Sequence, residues 1–313
     1  MTLRIGGGGV DQIVEFQCAR EYEGKGAFPN YMGPQFAEDM AKAASLCVKG
    51  VDIWDFGGGW GGPVLKSDRW VRLNIEAASQ LALNPQASPR ALAEAWAAKA
   101  FGPKSAAKVA DMLMLSSDCV RKAMYIEVFA RAHRGWKPSL NLLRDDIIRG
   151  EVLKALYTGS KADLPEVFAE KDEAVALAGR MRGLFEGARS GIVAERGEQE
   201  YQESLSSLIY LESLTQVLGH YIKGMFLFYQ WDETREAAAA TKACQELLAW
   251  REAWRRYQAD VPNLPGVATI YRSQNQTKNP TDGSSPRGAM ADLCDAALQS
   301  LAAAGGEPQP KTK

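Results

Sequence analysis

The sequence predicts a mainly helical protein with a short α/β start, and three observations carry that expectation. Two early segments, 13–20 and 51–56 (VDIWDF), are rich in strand-forming residues. A helical pattern lies between them. After residue 63, each long stretch repeats its apolar residues at helical spacing and no further strand pattern is evident. With 313 residues, 46% of them hydrophobic, the chain suffices for one large or two ordinary domains with a sizeable core.

The first strand pattern is also the most polar, VEFQCAREYEG over residues 14–24. Strand alternation puts Glu15, Gln17, Ala19 and Glu21 on one face, and Val14, Phe16, Cys18 and Arg20 on the other. A face of Glu, Gln and Glu is not ordinary core for a parallel strand. Either it leads to a site at the C-terminal end of a barrel strand, where Glu21 and Tyr22 stand, or it is the solvated face of an edge strand. A helix over 34–48 follows, with Phe36, Met40, Ala43, Ala44 and Cys47 on one face. Strand, helix and strand in this order predict a right-handed crossover between parallel strands. Parallel strands are normally covered on both faces, so the unit is expected to belong to a larger parallel sheet or barrel.

The second strand runs into GGGWGG, residues 57–62. Gly57, Gly59 and Gly62 satisfy a dinucleotide fingerprint formally, but only one βα unit is present and Pro63 interrupts the approach to the next helix. Two readings remain: a tight loop laying Trp60 in a sugar-sized cleft, or a surface loop. Asp52 and Asp55 fall on opposite faces of the strand and do not form a catalytic pair by spacing.

A helix over 67–83 is ended by Asn84-Pro85, since the residue before proline is pushed out of the helical region. Ser88-Pro89 reads as an N-cap with proline at the first helical position, opening a helix to about Ala100. Gly102-Pro103 breaks it and starts a long helix to about Arg134. Helices over 139–158, 163–187, 195–229 and 232–258 follow, separated by Gly or Pro signals. Residues 259–285 read as a polar loop, 287–303 as a last helix, and 305–313 as a disordered tail. The expected domains are 1–87 and 88–304. The aromatic run YIKGMFLFYQW, residues 221–231, fits either core or a subunit contact.

Composition narrows the function classes. Lys plus Arg number 37 against 38 Asp plus Glu, with no basic stripe, so neither nucleic acid nor an anionic membrane is an expected partner. No apolar run approaches the roughly 18 residues of a membrane span. The opening MTLRIGGGGVDQ lacks the apolar core of a signal peptide, which favours a cytoplasmic location and leaves that of any longer parent open. Five scattered cysteines suggest buried thiols in a reducing compartment. His133 and His220 have no ligand spacing, so no metal is expected, and no cofactor is implied. Neither a GxSxG elbow nor a GK[ST] loop occurs.

These residues together resemble a known family. VEFQCAREYEG is similar to the E-F/L-Q-I-T-x-E-Y-x-G segment of the α-glucuronidases of glycoside hydrolase family 67. GVDIWDFGGGWGGP (50–63) resembles the loop of that family that carries a tryptophan, with Trp60 on the matching position. LNIEAASQLALNPQASPRALAEAWAAKAFG (73–102) resembles the region that follows, with Asn74, Pro85, Trp96, Phe101 and Gly102 on matching positions. The match covers about the first hundred residues; further on it is one of helical character. The departures are Pro63 in place of His, glycines 57–59 in place of polar loop residues, and CAREYEG with Arg20 before the Glu.

The resemblance implies the last two strands of a (β/α)8 barrel followed by a helical C-terminal domain. It also implies an inverting hydrolase that releases α-1,2-linked (4-O-methyl)glucuronic acid from xylo-oligosaccharides. Inversion uses an acid and a base on opposite sides of the sugar, separated by about 6.5–9.5 Å. Glu21 falls on one of the two acidic residues that activate water, and Tyr22 and Trp60 would shape the sugar pocket. The general acid and the other base residue fall on no segment of this chain, so it is expected to be inactive alone. Two further expectations stand beside this one: a non-catalytic helical module forming a homodimer, and a carbohydrate-binding remnant.

Overall fold

The computed structural model describes residues 13–19, 21–46, 48–54, 69–133, 150–265 and 286–304. Two strands, β1 (Ile13–Gln17) and β2 (Gly50–Trp54), flank α1 (Gly33–Ser45). Next come α2 (Arg69–Leu83), α3 (Pro89–Phe101), α4 (Ala106–Met124), α5 (Glu127–His133) and α6 (Glu151–Ser160). The remaining helices are α7 (Leu164–Glu186), α8 (Arg189–Arg196), α9 (Glu198–Thr234), α10 (Ala237–Asp260) and α11 (Pro286–Ala303). The described protein is thus mainly helical, with one two-stranded parallel sheet at its start.

The chain divides into two compact units. Unit 1 comprises Met1–Ser117, Gly179–Leu208 and Pro265–Ala268; unit 2 comprises Asp118–Ala178, Ile209–Leu264 and Thr269–Lys313. Helices α4, α7 and α9 therefore contribute a segment to each.

In unit 1, β1 pairs with β2 in parallel register, Ile13 opposite Gly50 through Gln17 opposite Trp54. Phe16 is buried and meets Phe36 of α1 edge-on, ring centroids 5.6 Å apart. The opposite face carries Glu15 and Asp52, which are register partners and both exposed. Thus Phe36 of α1 packs on the apolar face of the pair and α2 lies against β2, while Glu15, Asp52 and Ile13 stand exposed on the other face. Helix α1 starts on Gly33-Pro34 and buries Phe36, Met40 and Ala43, a stripe at helical spacing. A second cluster joins α2, α3, α7 and α9. Trp96 meets Phe101 edge-on at 5.8 Å, Phe101 meets Phe185 edge-on at 5.6 Å, and Phe185 stacks on Tyr201 at 5.6 Å. Ser88 caps α3 as the sequence predicts, its hydroxyl accepting from the Ala91 N–H. Gly102 ends the helix at φ +92°, where a Cβ would stand 2.5 Å from Glu195 Cγ.

In unit 2, α10 presents a ladder of parallel rings: Trp250 stacks on Trp254 at 6.0 Å and Trp254 on Tyr257 at 5.2 Å. Residues 221–231 belong to this core. Tyr221 lies 6.2 Å from Trp250, Phe226 meets Tyr157 edge-on, and of the run's aromatics only Phe228 and Tyr229 are half-buried. The aromatic run is therefore accounted for by packing within the unit.

Three expectations are corrected. The first strand ends at Gln17 rather than Arg20, and Ala19 is buried with Cys18, so alternation stops where the chain leaves the ladder. The helix expected from 103 to 134 is two helices broken at Tyr125 and Ile126. The helix expected from 195 is preceded by the separate α8, which ends at Gly197 with φ +89°. The glycine loop 57–62, residues 139–149 and the tail 305–313 lie outside the described residues.

The break at 125 has a physical cause in α7. The ammonium of Lys171 donates to the carbonyls of Lys122 and Tyr125 at the end of α4. The adjacent Glu170 pairs with it at 2.5 Å and accepts from the Glu127 N–H, 2.8 Å away, at the start of α5. A cation thus sits on the negative end of one helix dipole and a carboxylate on the positive end of the next. Burial pushes the Lys171 pKa down against the opposing charge of Glu170; burial likewise pushes Glu170 up against that of Lys171.

Lys171→Met removes the charge that balances buried Glu170 and takes the ammonium donor away from the carbonyls of Lys122 and Tyr125. It is expected to cost about 3–5 kcal/mol in urea unfolding followed by far-UV circular dichroism. Gly102→Ala is expected to cost about 1–3 kcal/mol in the same measurement, through its left-handed backbone and the contact with Glu195.

Candidate functional site

The turn after β1 carries the residues singled out by the sequence, and it is built almost without regular backbone pairing. Beyond Gln17 the chain passes through buried Cys18 and Ala19 into a 3-10 helix, Glu21–Gly26, and then through buried residues 27–32 into α1. Gly24 has φ +81°, and a Cβ there would lie 2.2 Å from the ring of Phe28, so this tight approach requires glycine.

Buried irregular backbone must find its hydrogen bonds elsewhere. Asn74 of α2 supplies three of them. Its Nδ2 donates to the carbonyls of Cys18 at 3.1 Å and Asn30 at 2.8 Å, and its Oδ1 accepts from the Met32 N–H at 3.0 Å. One amide, 2% exposed, therefore ties the exit of β1 to the entrance of α1. The middle of the turn is held by Glu23, whose Oε2 accepts from Asn30 Nδ2 at 2.7 Å with both side chains buried. The Tyr31 N–H donates to Ser116 Oγ at 2.8 Å, and the Tyr31 hydroxyl donates to the Pro89 carbonyl at 2.7 Å. Burial raises the Tyr31 pKa well above its ordinary value, which keeps that hydroxyl a donor.

Glu21 opens the 3-10 helix and Tyr22 follows it, so both stand past the strand end rather than on it. Their side chains, like Trp60, Asp55 and Pro63, lie outside the described residues. Of the positions that carry the family resemblance, Asn74 is the clamp just described. Trp96 and Phe101 are buried in the aromatic cluster, and Gly102 ends α3. The sequence did not single out Glu23 or Asn30. Their pairing spans seven positions of irregular chain, to which neither helical nor strand periodicity applies. The only available signal was a second glutamate in EYEG, inside a glycine-bounded turn.

Elsewhere among the described residues, several titratable groups are engaged in structural roles. In unit 2, His220 Nδ1 lies 2.7 Å from Glu246 Oε2. An ionised carboxylate can only accept, so Nδ1 carries the proton. Glu246 Oε1 is 3.2 Å from Lys223, which also reaches Asp172 at 2.7 Å. The sequence missed this network because its members come from three helices. His133 is exposed and lies against Phe129, 4.3 Å between ring centroids. No group of three or more potential metal ligands occurs among the described residues. Burial pushes the Cys119 thiol up to about 12 and also raises Cys244 and Cys294, so these three are poor nucleophiles. No described helix is long and apolar enough to cross a membrane.

Comparison with known proteins returns no match, whether with family models, curated proteins or solved structures.

Burial pushes the Glu246 carboxyl up, but hydrogen bonds and charge from His220 and Lys223 outweigh it and hold the pKa below its ordinary 4.5. A carboxylate with a folded pKa below its unfolded one contributes stability above the unfolded value and loses it as pH falls through the folded one. Glu246→Gln is therefore expected to make the decline in urea midpoint between about pH 5 and pH 3 shallower than in wild type. An unchanged slope would show that this pair does not contribute.

Proposed function

We propose that this chain supplies one side of a glycoside hydrolase site for α-linked glucuronic or 4-O-methylglucuronic acid, similar in chemistry to the inverting α-glucuronidases. The observation that carries the proposal is the one-sided parallel pair. Phe36 of α1 packs on one face of it, the carboxylates of Glu15 and Asp52 stand exposed on the other, and the E-Y-x-G turn lies past the end of its first strand. A parallel pair with a helical crossover, followed by an acid-bearing turn past the strand end, suits a βα unit of a (β/α)8 barrel, whose sites lie beyond the C-terminal strand ends.

In this reading Glu21 acts as a base. It must be ionised to draw a proton from the attacking water, on the side of the sugar opposite the acid that protonates the leaving oxygen. Tyr22 offers a hydroxyl and a ring edge to the sugar, and Trp60 offers an apolar face on which a pyranose ring stacks. The arrangement requires no metal or cofactor. The partner is an oligosaccharide bearing a uronic acid.

Only one of the carboxylates this chemistry needs falls on a matching motif. The purified chain is therefore expected to bind glucuronic acid in calorimetric titration without releasing it from aldouronic substrates. Trp60→Ala is expected to weaken binding about tenfold, with Glu21→Gln changing it by no more than about twofold. Absence of binding to both glucuronic acid and xylobiose would defeat the proposal. Turnover abolished by Glu21→Gln would instead show that one chain holds the complete machinery.

A further inference from the structure

We infer that Asn74, acting with Glu23 and Asn30, is the positioning residue of the Glu21–Tyr22 turn. This rests on the glucuronic acid reading above and extends it to residues that do not themselves touch sugar. Three observations carry it.

The first is the completeness of the amide's use. Both N–H groups of Asn74 and its carbonyl oxygen are engaged with backbone of the turn, at Cys18, Asn30 and Met32. Cys18 lies three residues before Glu21, so the clamp fixes the chain where it leaves β1. Asn30 and Met32 fix it where it enters α1.

The second is that the clamp comes from a rigid element. Asn74 lies within α2, flanked by buried Leu73, Ala77 and Ala78, so the geometry of the turn is referred to a packed helix. A site carried on a loop holds its geometry only if its supporting side chains are themselves locked.

The third is Glu23, two residues beyond Glu21 on the same 3-10 helix, bound to the Asn30 side chain while the Asn30 carbonyl is held by Asn74. The Asn30 Oδ1 is buried with no partner among the described residues, so the amide is oriented by its Nδ2 bond to Glu23. The chain of contacts from α2 to the acid-bearing turn is thus Asn74, Asn30, Glu23, each link buried.

Two other substitutions separate positioning from general stability. Glu23→Ala removes the central link; Glu23→Gln keeps an acceptor of the same length for Asn30. In the full chain, Asn74→Ala and Glu23→Ala are expected to raise amide hydrogen exchange over residues 21–32 about tenfold, leaving 241–257 unchanged. Both are expected to weaken glucuronic acid binding about tenfold, and Glu23→Gln to restore it to within about twofold of wild type.

Wild-type exchange over 21–32 in both alanine variants overturns the positioning role. So does wild-type affinity in variants whose turn exchanges faster, since the turn would then not matter to the sugar. If wild type binds no glucuronic acid, the hydrolase reading fails and with it the sugar role of the clamp. The exchange arm then still reports whether Asn74 orders the turn.

Discussion

A chain made mostly of helix must provide partners for the first amide groups and last carbonyls of each helix, and that requirement shapes much of this protein. Charged side chains from neighbouring helices meet it repeatedly. Lys171 and Glu170 serve the two helix ends that face each other at residues 122–127. Arg196 donates to the carbonyls of Lys99 and Ala100 at the end of α3. Lys108 donates to the Gly187 carbonyl just past α7. In each case cations approach carbonyl ends and the carboxylate approaches an amide end, the arrangement the helix dipole favours. Side chains that terminate a helix also fasten it to the helix they come from.

The same arrangement explains what the sequence could and could not disclose. Local signals were legible: Ser88-Pro89 and Gly102 bound α3, and Phe36, Met40 and Ala43 mark the buried face of α1. Parallel pairing of the two strands followed from the length of the connection between them. The break at Tyr125 was not legible, because no glycine or proline marks it and its cause lies over forty positions away in Lys171. The candidate site divides in the same way. Glu21 stands in a motif that can be read directly, whereas the clamp on its turn joins Asn74 to Cys18 across 56 positions and has no periodicity. Asn74 in α2 would ordinarily pass for a tolerated polar residue; its burial among apolar neighbours makes it the anchor of the turn.

Chemistry is unevenly distributed among the described residues. In unit 2, the buried Lys171–Glu170 pair and the network around Glu246 have their hydrogen-bonding capacity committed to holding helices together. Burial raises the pKa of the Cys119, Cys244 and Cys294 thiols, which makes these three poor nucleophiles. In unit 1, by contrast, the sheet leaves carboxylates exposed on one face and the turn beyond it is braced from behind by α2.

The ring ladder of α10 has an optical consequence. Two of the eight tryptophans of the chain, Trp250 and Trp254, stack with their ring planes nearly parallel, 5° apart, and Tyr257 continues the stack at 8°. Chromophores fixed in this way report tertiary packing in the near ultraviolet, a signal that vanishes when side chains lose their fixed environment even if helices persist. The second unit thus carries an intrinsic gauge of its own core, readable without any added label.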